Sequence, residues 1–192
     1  MVHLCLDFEG VLIPEIWQCL AKEVNSDDLM LTTQDLKDYD ELMSLRMKVV
    51  NEKNIKLSDI QKIVRDIDPF DGAQEFLDWA RSKFQVTIVS DTFYELAWPL
   101  VEKLGYPSII CHNMTVENDK ITGYKLRQPN NKQKVIEALQ SLKFKVFASG
   151  DSYNDINMFA PHLTKKIVAM ACATKSKKDL DKVFESIKLI RR

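Results

Sequence analysis

The sequence predicts an α/β fold: a Rossmann-like parallel sheet carrying a small helical cap inserted after the first strand. Short apolar runs ending in polar residues recur at Val2 to Phe8, Gln85 to Ser90 and Lys145 to Ser149. Helical patterns precede the second and third of these runs, and strands alternating with helices imply parallel pairing through right-handed crossovers. Between the first run and the second, Pro14 to Asp71 breaks the rhythm with helical periodicity and no strand.

Val2 to Phe8 reads as a buried strand that delivers Asp7 and Glu9 at its carboxyl end, closed by Gly10. Three helices follow, around Glu15 to Val24, Asp38 to Asn51 and Ser58 to Ile67. The chain leaves the carboxyl edge of the sheet before them and returns to it after them, so they form a cap over that edge. Gly72 to Phe84 is a helix with Phe76, Leu77 and Ala80 on one face, and it leads into the strand Gln85 to Ser90. Ile109 to Val116 and Ile121 to Leu126 flank Asn118-Asp119-Lys120, a turn signal for a β-hairpin. Lys132 to Lys143 is a helix with Val135, Ile136 and Leu139 inward, followed by the strand Lys145 to Ser149 and then Gly150-Asp151. The expected division is a core of residues 1–13 and 72–192 and a cap of residues 14–71.

Composition narrows the function. The 192 residues hold 27 Lys and Arg against 28 Asp and Glu, a formal charge of −1, which argues against a dedicated nucleic-acid or anionic-membrane protein. Residues 165–192 are locally basic, with 9 Lys and Arg against 3 Asp and Glu, but Phe184 is the sole aromatic there and a solvated helix face accounts for the charge. Only 5 glycines are present, and none forms a G-x-G-x-x-G or Walker-type loop, so a kinase or Rossmann dehydrogenase is disfavoured. Cys5, Cys19, Cys111 and Cys172 are widely spaced with no C-x-x-C pair and read as reduced thiols. The longest apolar run, Ile167 to Ala173, is far too short to span a bilayer, and no basic segment precedes the first apolar residues. A cytoplasmic protein without nucleic-acid or membrane partners is expected. His3, His112 and His162 show no triad spacing and read as structural or surface residues.

The chemistry collects at the strand ends. Asp7 with Glu9, then Ser90, then Asp151 with Asp155 arrive at one edge, and Lys132 opens the helix before the last of these strands. Ligands bind beyond the carboxyl ends of parallel strands, so the group reads as a phosphate site. Several carboxylates converging there repel one another and call for a cation, and hard Mg²⁺ suits oxygen ligands. Lys132 is preferred to Lys134 because Val135, Ile136 and Leu139 lie three, four and seven residues after it, which puts it on the inward face.

These residues resemble a known superfamily. The motifs Asp7-Phe8-Glu9-Gly10-Val11-Leu12, Val89-Ser90-Asp91-Thr92, a downstream Lys, and Gly150-Asp151-Ser152-Tyr153-Asn154-Asp155 are similar to those of the haloacid dehalogenase-like phosphatases, in the same order and with a cap between the first and second. Asp7 to Trp17 and Ser90-Asp91-Thr92-Phe93-Tyr94-Glu95 narrow the resemblance to the phosphoserine phosphatase group, and within it to the bifunctional phosphoserine phosphatases and phosphoserine:homoserine phosphotransferases.

The resemblance implies roles. Asp7 attacks phosphorus to form an aspartyl phosphate, and Glu9 protonates the leaving oxygen and later activates water. Mg²⁺ is held by Asp7, the Glu9 backbone carbonyl and Asp151, with Asp155 ordering its surroundings. Ser90 and Lys132 bind the phosphoryl oxygens, Asp91 and Thr92 line the substrate site beside them, and Asn154 adds hydrogen bonds. Glu15 and Arg46 complement an amino-acid zwitterion, the one accepting from the ammonium and the other forking onto the carboxylate. The partner is then a small molecule, phosphoserine, with homoserine as an acceptor; the subunit state, monomer or homodimer, stays open. Two other readings remain at this point: a phosphatase of another small metabolite, and a receiver-like phosphoacceptor or non-catalytic phosphate-binding module. Receivers place their phosphorylated Asp on a middle strand and lack the helical insertion.

Overall fold

The computed structural model describes residues 2–151, 155, 158, 170 and 171. Asn154 and the basic stretch lie outside the described residues, apart from Met170 and Ala171.

The strands are β1 (Val2–Leu6), β2 (Gln85–Phe93), β3 (Ile109–Glu117), β4 (Lys120–Lys125), β5 (Lys145–Gly150) and β6 (Met170–Ala171). They form one sheet in the order β4-β3-β2-β1-β5-β6, parallel throughout except for β4, which pairs antiparallel with β3. Placing β2 and β5 on either side of β1 brings three strand ends together, as the α/β reading requires.

The side chains of β1 alternate between the faces. Leu4 and Leu6 join the larger core with Ile88, Phe76, Leu77, Leu96 and Leu100, whereas Cys5 joins the smaller one with Val89, Val135, Ile136 and Ala148. The larger core packs on α4 (Ala73–Arg81) and α5 (Tyr94–Lys103), and the smaller on α6 (Asn131–Ser141). Covering both faces is what lets a parallel sheet consist of near-continuous apolar strands. Cys5, Cys19 and Cys111 are free thiols.

Between β1 and β2 come α1 (Ile16–Val24), a 3-10 turn (Asp27–Met30), α2 (Tyr39–Glu52) and α3 (Leu57–Asp66). The Asp38 carboxylate accepts from the N–H groups of Asp40 and Glu41 and caps α2. α3 borrows its cap from the β3–β4 turn. The Asp119 carbonyl accepts from Leu57 N–H at 2.9 Å, and its carboxylate takes Ser58 N–H at 3.0 Å and Ser58 Oγ–H at 2.6 Å. Both turn residues, Asn118 and Asp119, adopt positive φ, the geometry that favours Asn and Asp in two-residue hairpins.

Three elements depart from expectation. β1 ends at Leu6, not Phe8, so Glu9 is placed by a turn and not by strand alternation: Gly10, at φ +75°, donates to the Ile13 carbonyl at 2.8 Å. β2 runs on to Phe93, with its register against β3 shifted between Val89 and Phe93. α5 has no counterpart among the expected helices because Pro99 lies inside it. Proline lacks the N–H that would bond the carbonyl four residues earlier, and that carbonyl, of Glu95, accepts instead from the Gln61 side-chain amide of α3 at 2.9 Å.

Candidate active site

Asp7 shares the parity of Cys5 and so faces α6, and Lys132 lies in the first turn of that helix. The Lys132 ammonium donates to Asp7 Oδ2 at 2.9 Å and Asp155 Oδ1 at 2.7 Å, with Asp91 Oδ2 at 3.7 Å. Lys134 instead pairs with Glu137 at the surface, at 2.8 Å. Lys132 and Asp7 are each only 5% exposed, so neither charge can be left to water. Burial works against the Lys132 ammonium, but Asp7, Asp91 and Asp155 outweigh it and hold its pKa well above the ordinary lysine value.

Negative charge is in excess. Asp7, Asp151 and Asp155 offer carboxylate oxygens that all lie within 4.8 Å of one another. Burial raises the pKa of Asp7 well above the usual range, with Asp155 adding to the rise and Lys132 opposing it. Buried carboxylates that one ammonium does not neutralise suit a hard divalent cation with oxygen ligands. The backbone is shaped around this cluster: a Cβ on Gly10 would overlap the Asp151 carboxylate, and one on Gly150 would overlap the Asp155 side chain.

A small cavity of about 80 Å³ adjoins the cluster, and Asp7, Glu9, Glu15, Arg46, Ser90, Asp91, Thr92, Lys132 and Asp151 line it along with Trp17 and Tyr39. The structure thus brings together every candidate site residue that it describes except Asp155, which joins through Lys132. Residues of α1 and α2 supply one wall and the strand ends the other. The register shift in β2 falls on the stretch that carries Ser90, Asp91 and Thr92, which fits a bulge that re-aims side chains at a site. Ser90 Oγ accepts from Thr92 N–H at 3.3 Å, and the Ser90 carbonyl accepts from Asn131 Nδ2 at 3.3 Å.

Glu9 Oε1 accepts the Ile16 N–H, at the start of α1, at 2.8 Å. Burial raises the pKa of Glu9 against the pull of that bond, Arg46 and the nearby Thr92 hydroxyl, which itself has no partner of ordinary hydrogen-bond geometry. Burial, with Glu9 and Asp151, pushes Glu15 up to about 8. Arg46 lies over the Trp17 ring, 4.9 Å from its centroid, and Nη2 donates to the Leu31 carbonyl at 3.1 Å.

His112, which has no motif to mark it, is buried beside the site. The Arg127 N–H donates to its Nδ1 at 3.1 Å, which leaves the proton on Nε2, 3.6 Å from Asp91 Oδ1. Tyr39, on α2, donates its hydroxyl to the Asp91 carbonyl at 2.9 Å. Burial pushes Asp91 up, yet His112 and Lys132 outweigh it and keep the carboxyl below its ordinary value. Both residues become neighbours of the site only through tertiary packing.

Comparison with known proteins shows the family and the fold. The haloacid dehalogenase-like hydrolase family matches residues 12–160, beginning at the last residue of the first motif. Phosphoserine phosphatase ThrH of Pseudomonas aeruginosa is 46% identical over 157 residues, covering 81% of this chain and 77% of that protein. A phosphoserine phosphatase of Pseudomonas syringae pv. tomato is 46% identical over 155 residues, covering 80% of this chain and 65% of that one. Among solved structures, a phosphoserine phosphatase from T. onnurineus in complex with NDSB-201 superposes with a TM-score of 0.73 at 22% identity, over 97% of this chain and 94% of that one. A phospho-aspartyl intermediate analogue of phosphoserine phosphatase gives 0.69 at 21%, over 98% of each; at such identities these two establish a shared fold. With the family matched across residues 12–160 and a relative 46% identical over 81% of this chain, the chain belongs to the haloacid dehalogenase-like hydrolases.

Proposed function

We propose that the protein is a phosphomonoester hydrolase that releases phosphate from O-phosphoserine through a phosphorylated Asp7. The observation that carries this is the meeting of Asp7, Lys132 and the Asp151–Asp155 cluster beneath a cavity walled by Glu15 and Arg46. Residues 14–71 act as the cap that supplies that wall.

Asp7 Oδ1 accepts the Phe8 N–H at 2.7 Å and Oδ2 accepts from Lys132, so the carboxylate is fixed in orientation before substrate arrives. One of its oxygens forms a bond to phosphorus as the bond from phosphorus to the serine oxygen breaks, and Glu9 gives that oxygen its proton. Water then attacks phosphorus while Glu9 takes its proton, and the Asp7–phosphorus bond breaks. Ser90 Oγ and Lys132 Nζ hold the phosphoryl oxygens. Mg²⁺, held by Asp7, Asp151 and the Glu9 carbonyl with Asp155 beside it, would neutralise phosphoryl charge and orient the group. Glu15 and Arg46 read the ammonium and carboxylate of serine.

The test is phosphate release from phosphoserine, phosphothreonine and an aryl phosphate, with Mg²⁺ or EDTA. Release from phosphoserine that EDTA stops and Asp7→Asn abolishes is expected; no release from phosphoserine would sink the assignment.

A second reading, transfer of the phosphoryl group to homoserine, would start from the same phosphorylated Asp7. The Ile16 N–H holds one Glu9 oxygen, and the other would take the proton of the attacking group, be it water or an alcohol. Homoserine resembles serine with one more methylene and uses the same Glu15 and Arg46 contacts.

A further inference from the structure

Arg46 is 7% exposed and Trp17 3%, so the guanidinium lies where water cannot satisfy it. Its donors are unequally used. Nη2 has the Leu31 carbonyl at 3.1 Å, Nη1 has only the Met43 sulfur at 3.8 Å, and Nε has no partner. Burial lowers the pKa of Arg46, with Glu9, Tyr39 and Glu15 opposing, but no carboxylate among the described residues forms an ion pair with it. One face of the guanidinium lies over the Trp17 indole. An unpaired donor on a buried cation is costly unless a ligand completes it, and Arg46 lines the catalytic cavity.

From this arrangement we infer that Trp17 is a positioning residue for substrate selection: its ring and the Leu31 carbonyl pin the Arg46 plane so that the Nε edge is what meets the substrate's carboxylate. The inference rests on the phosphoserine reading and adds the device that makes Arg46 selective. A freely rotating arginine would offer its fork to any anion, including a phosphoryl group bound in the same cavity. A pinned one discriminates by place. An indole is the best aromatic partner for a guanidinium, and a desolvated stack of this kind is worth more than an exposed one. Phe in its place keeps a π face of smaller area, and Leu keeps apolar bulk without one.

The experiment compares kcat/KM for O-phosphoserine and O-phosphoethanolamine, which differ only in the carboxylate. In Trp17→Leu the preference for phosphoserine should fall roughly 3- to 30-fold, through KM and not kcat, while Trp17→Phe keeps most of it. In an Arg46→Ala background the same substitution should change the preference no further, since its target is gone. Equal losses on both substrates, or full additivity with Arg46→Ala, would overturn the inference. If Trp17→Leu does not fold, Trp17→Met, which also keeps apolar bulk without a ring face, takes its place alone and in the double variant with Arg46→Ala. Wild type that turns over neither phosphoserine nor phosphoethanolamine would instead overturn the phosphatase reading itself; wild type active on both with equal efficiency would overturn the selective role alone.

Discussion

The Lys132 ammonium lies 2.9 Å from Asp7 Oδ2 while its other short contact, at 2.7 Å, is to Asp155. A single cation thus ties the proposed nucleophile to a carboxylate of the last motif, 125 and 23 residues away along the chain. Removing it leaves buried carboxylates facing one another. Lys132→Met should lower kcat/KM by more than about 100-fold, the scale of losing a charged contact to the transferring group, and Lys134→Met should stay near wild type. Steady-state rates on an aryl phosphate measure both, and comparable losses would show that the helical face has been misread.

Arg46→Ala should weaken phosphoserine far more than a phosphomonoester without a carboxylate. A charge-assisted hydrogen bond contributes about 1.5 to 3 kcal/mol, so the specificity ratio should fall roughly 10- to 150-fold. Rates on phosphoserine and phosphoethanolamine supply the ratio; equal losses would assign Arg46 to the fold or to the phosphoryl group.

Glu9 carries one methylene more than aspartate, and one of its oxygens is held by Ile16 N–H. The shorter Glu9→Asp side chain should reach the leaving oxygen less well and alter how water and alcohol compete for phosphorylated Asp7. With phosphoserine and homoserine supplied together, the ratio of free phosphate to phosphohomoserine should rise, as phosphorus NMR would count directly. An unchanged ratio would rule out this role for the longer side chain.

Glu15 gives a pH dependence of stability. Its carboxyl ionises at about 8 in the folded chain against an ordinary 4.5. An acid raised on folding favours the folded state fully below its unfolded pKa, and that advantage is lost as pH climbs toward the folded one. In EDTA, wild-type Tm should therefore decline from pH about 4.5 to about 8 relative to Glu15→Gln, whose neutral amide does not titrate. Parallel Tm curves for the two proteins would refute the buried-acid assignment.

What could be read from sequence was whatever is written in local pattern. The apolar runs ending in Asp7, Ser90 and Asp151 fixed three adjacent strands, and helical phase separated Lys132 from Lys134. α5 escaped because Pro99 ordinarily interrupts a helix, and nothing local announces that Gln61, 34 residues upstream of Glu95, takes the freed carbonyl. His112 escaped for a similar reason: its tautomer is set by the Arg127 N–H and its partner is Asp91, neither at a recognisable spacing. The turn at Gly10 shows the limit of alternation, since Asp7 and Glu9 share the cavity although the strand has already ended between Leu6 and Asp7.

The carbonyl left by Pro99 and the hairpin carboxylate of Asp119 bear on how the chain folds over time. Each leaves a backbone need that only α3 or its partner can meet: Glu95 waits for Gln61, and the first amides of α3 wait for Asp119. An inserted segment with such debts on both sides is not a detachable module. Its amides near Leu57 and Ser58 should exchange with deuterium at the pace of the β3–β4 hairpin, as members of one cooperative unit, and a shortened chain lacking residues 14–71 would leave the part-buried Glu95 carbonyl without its Gln61 donor.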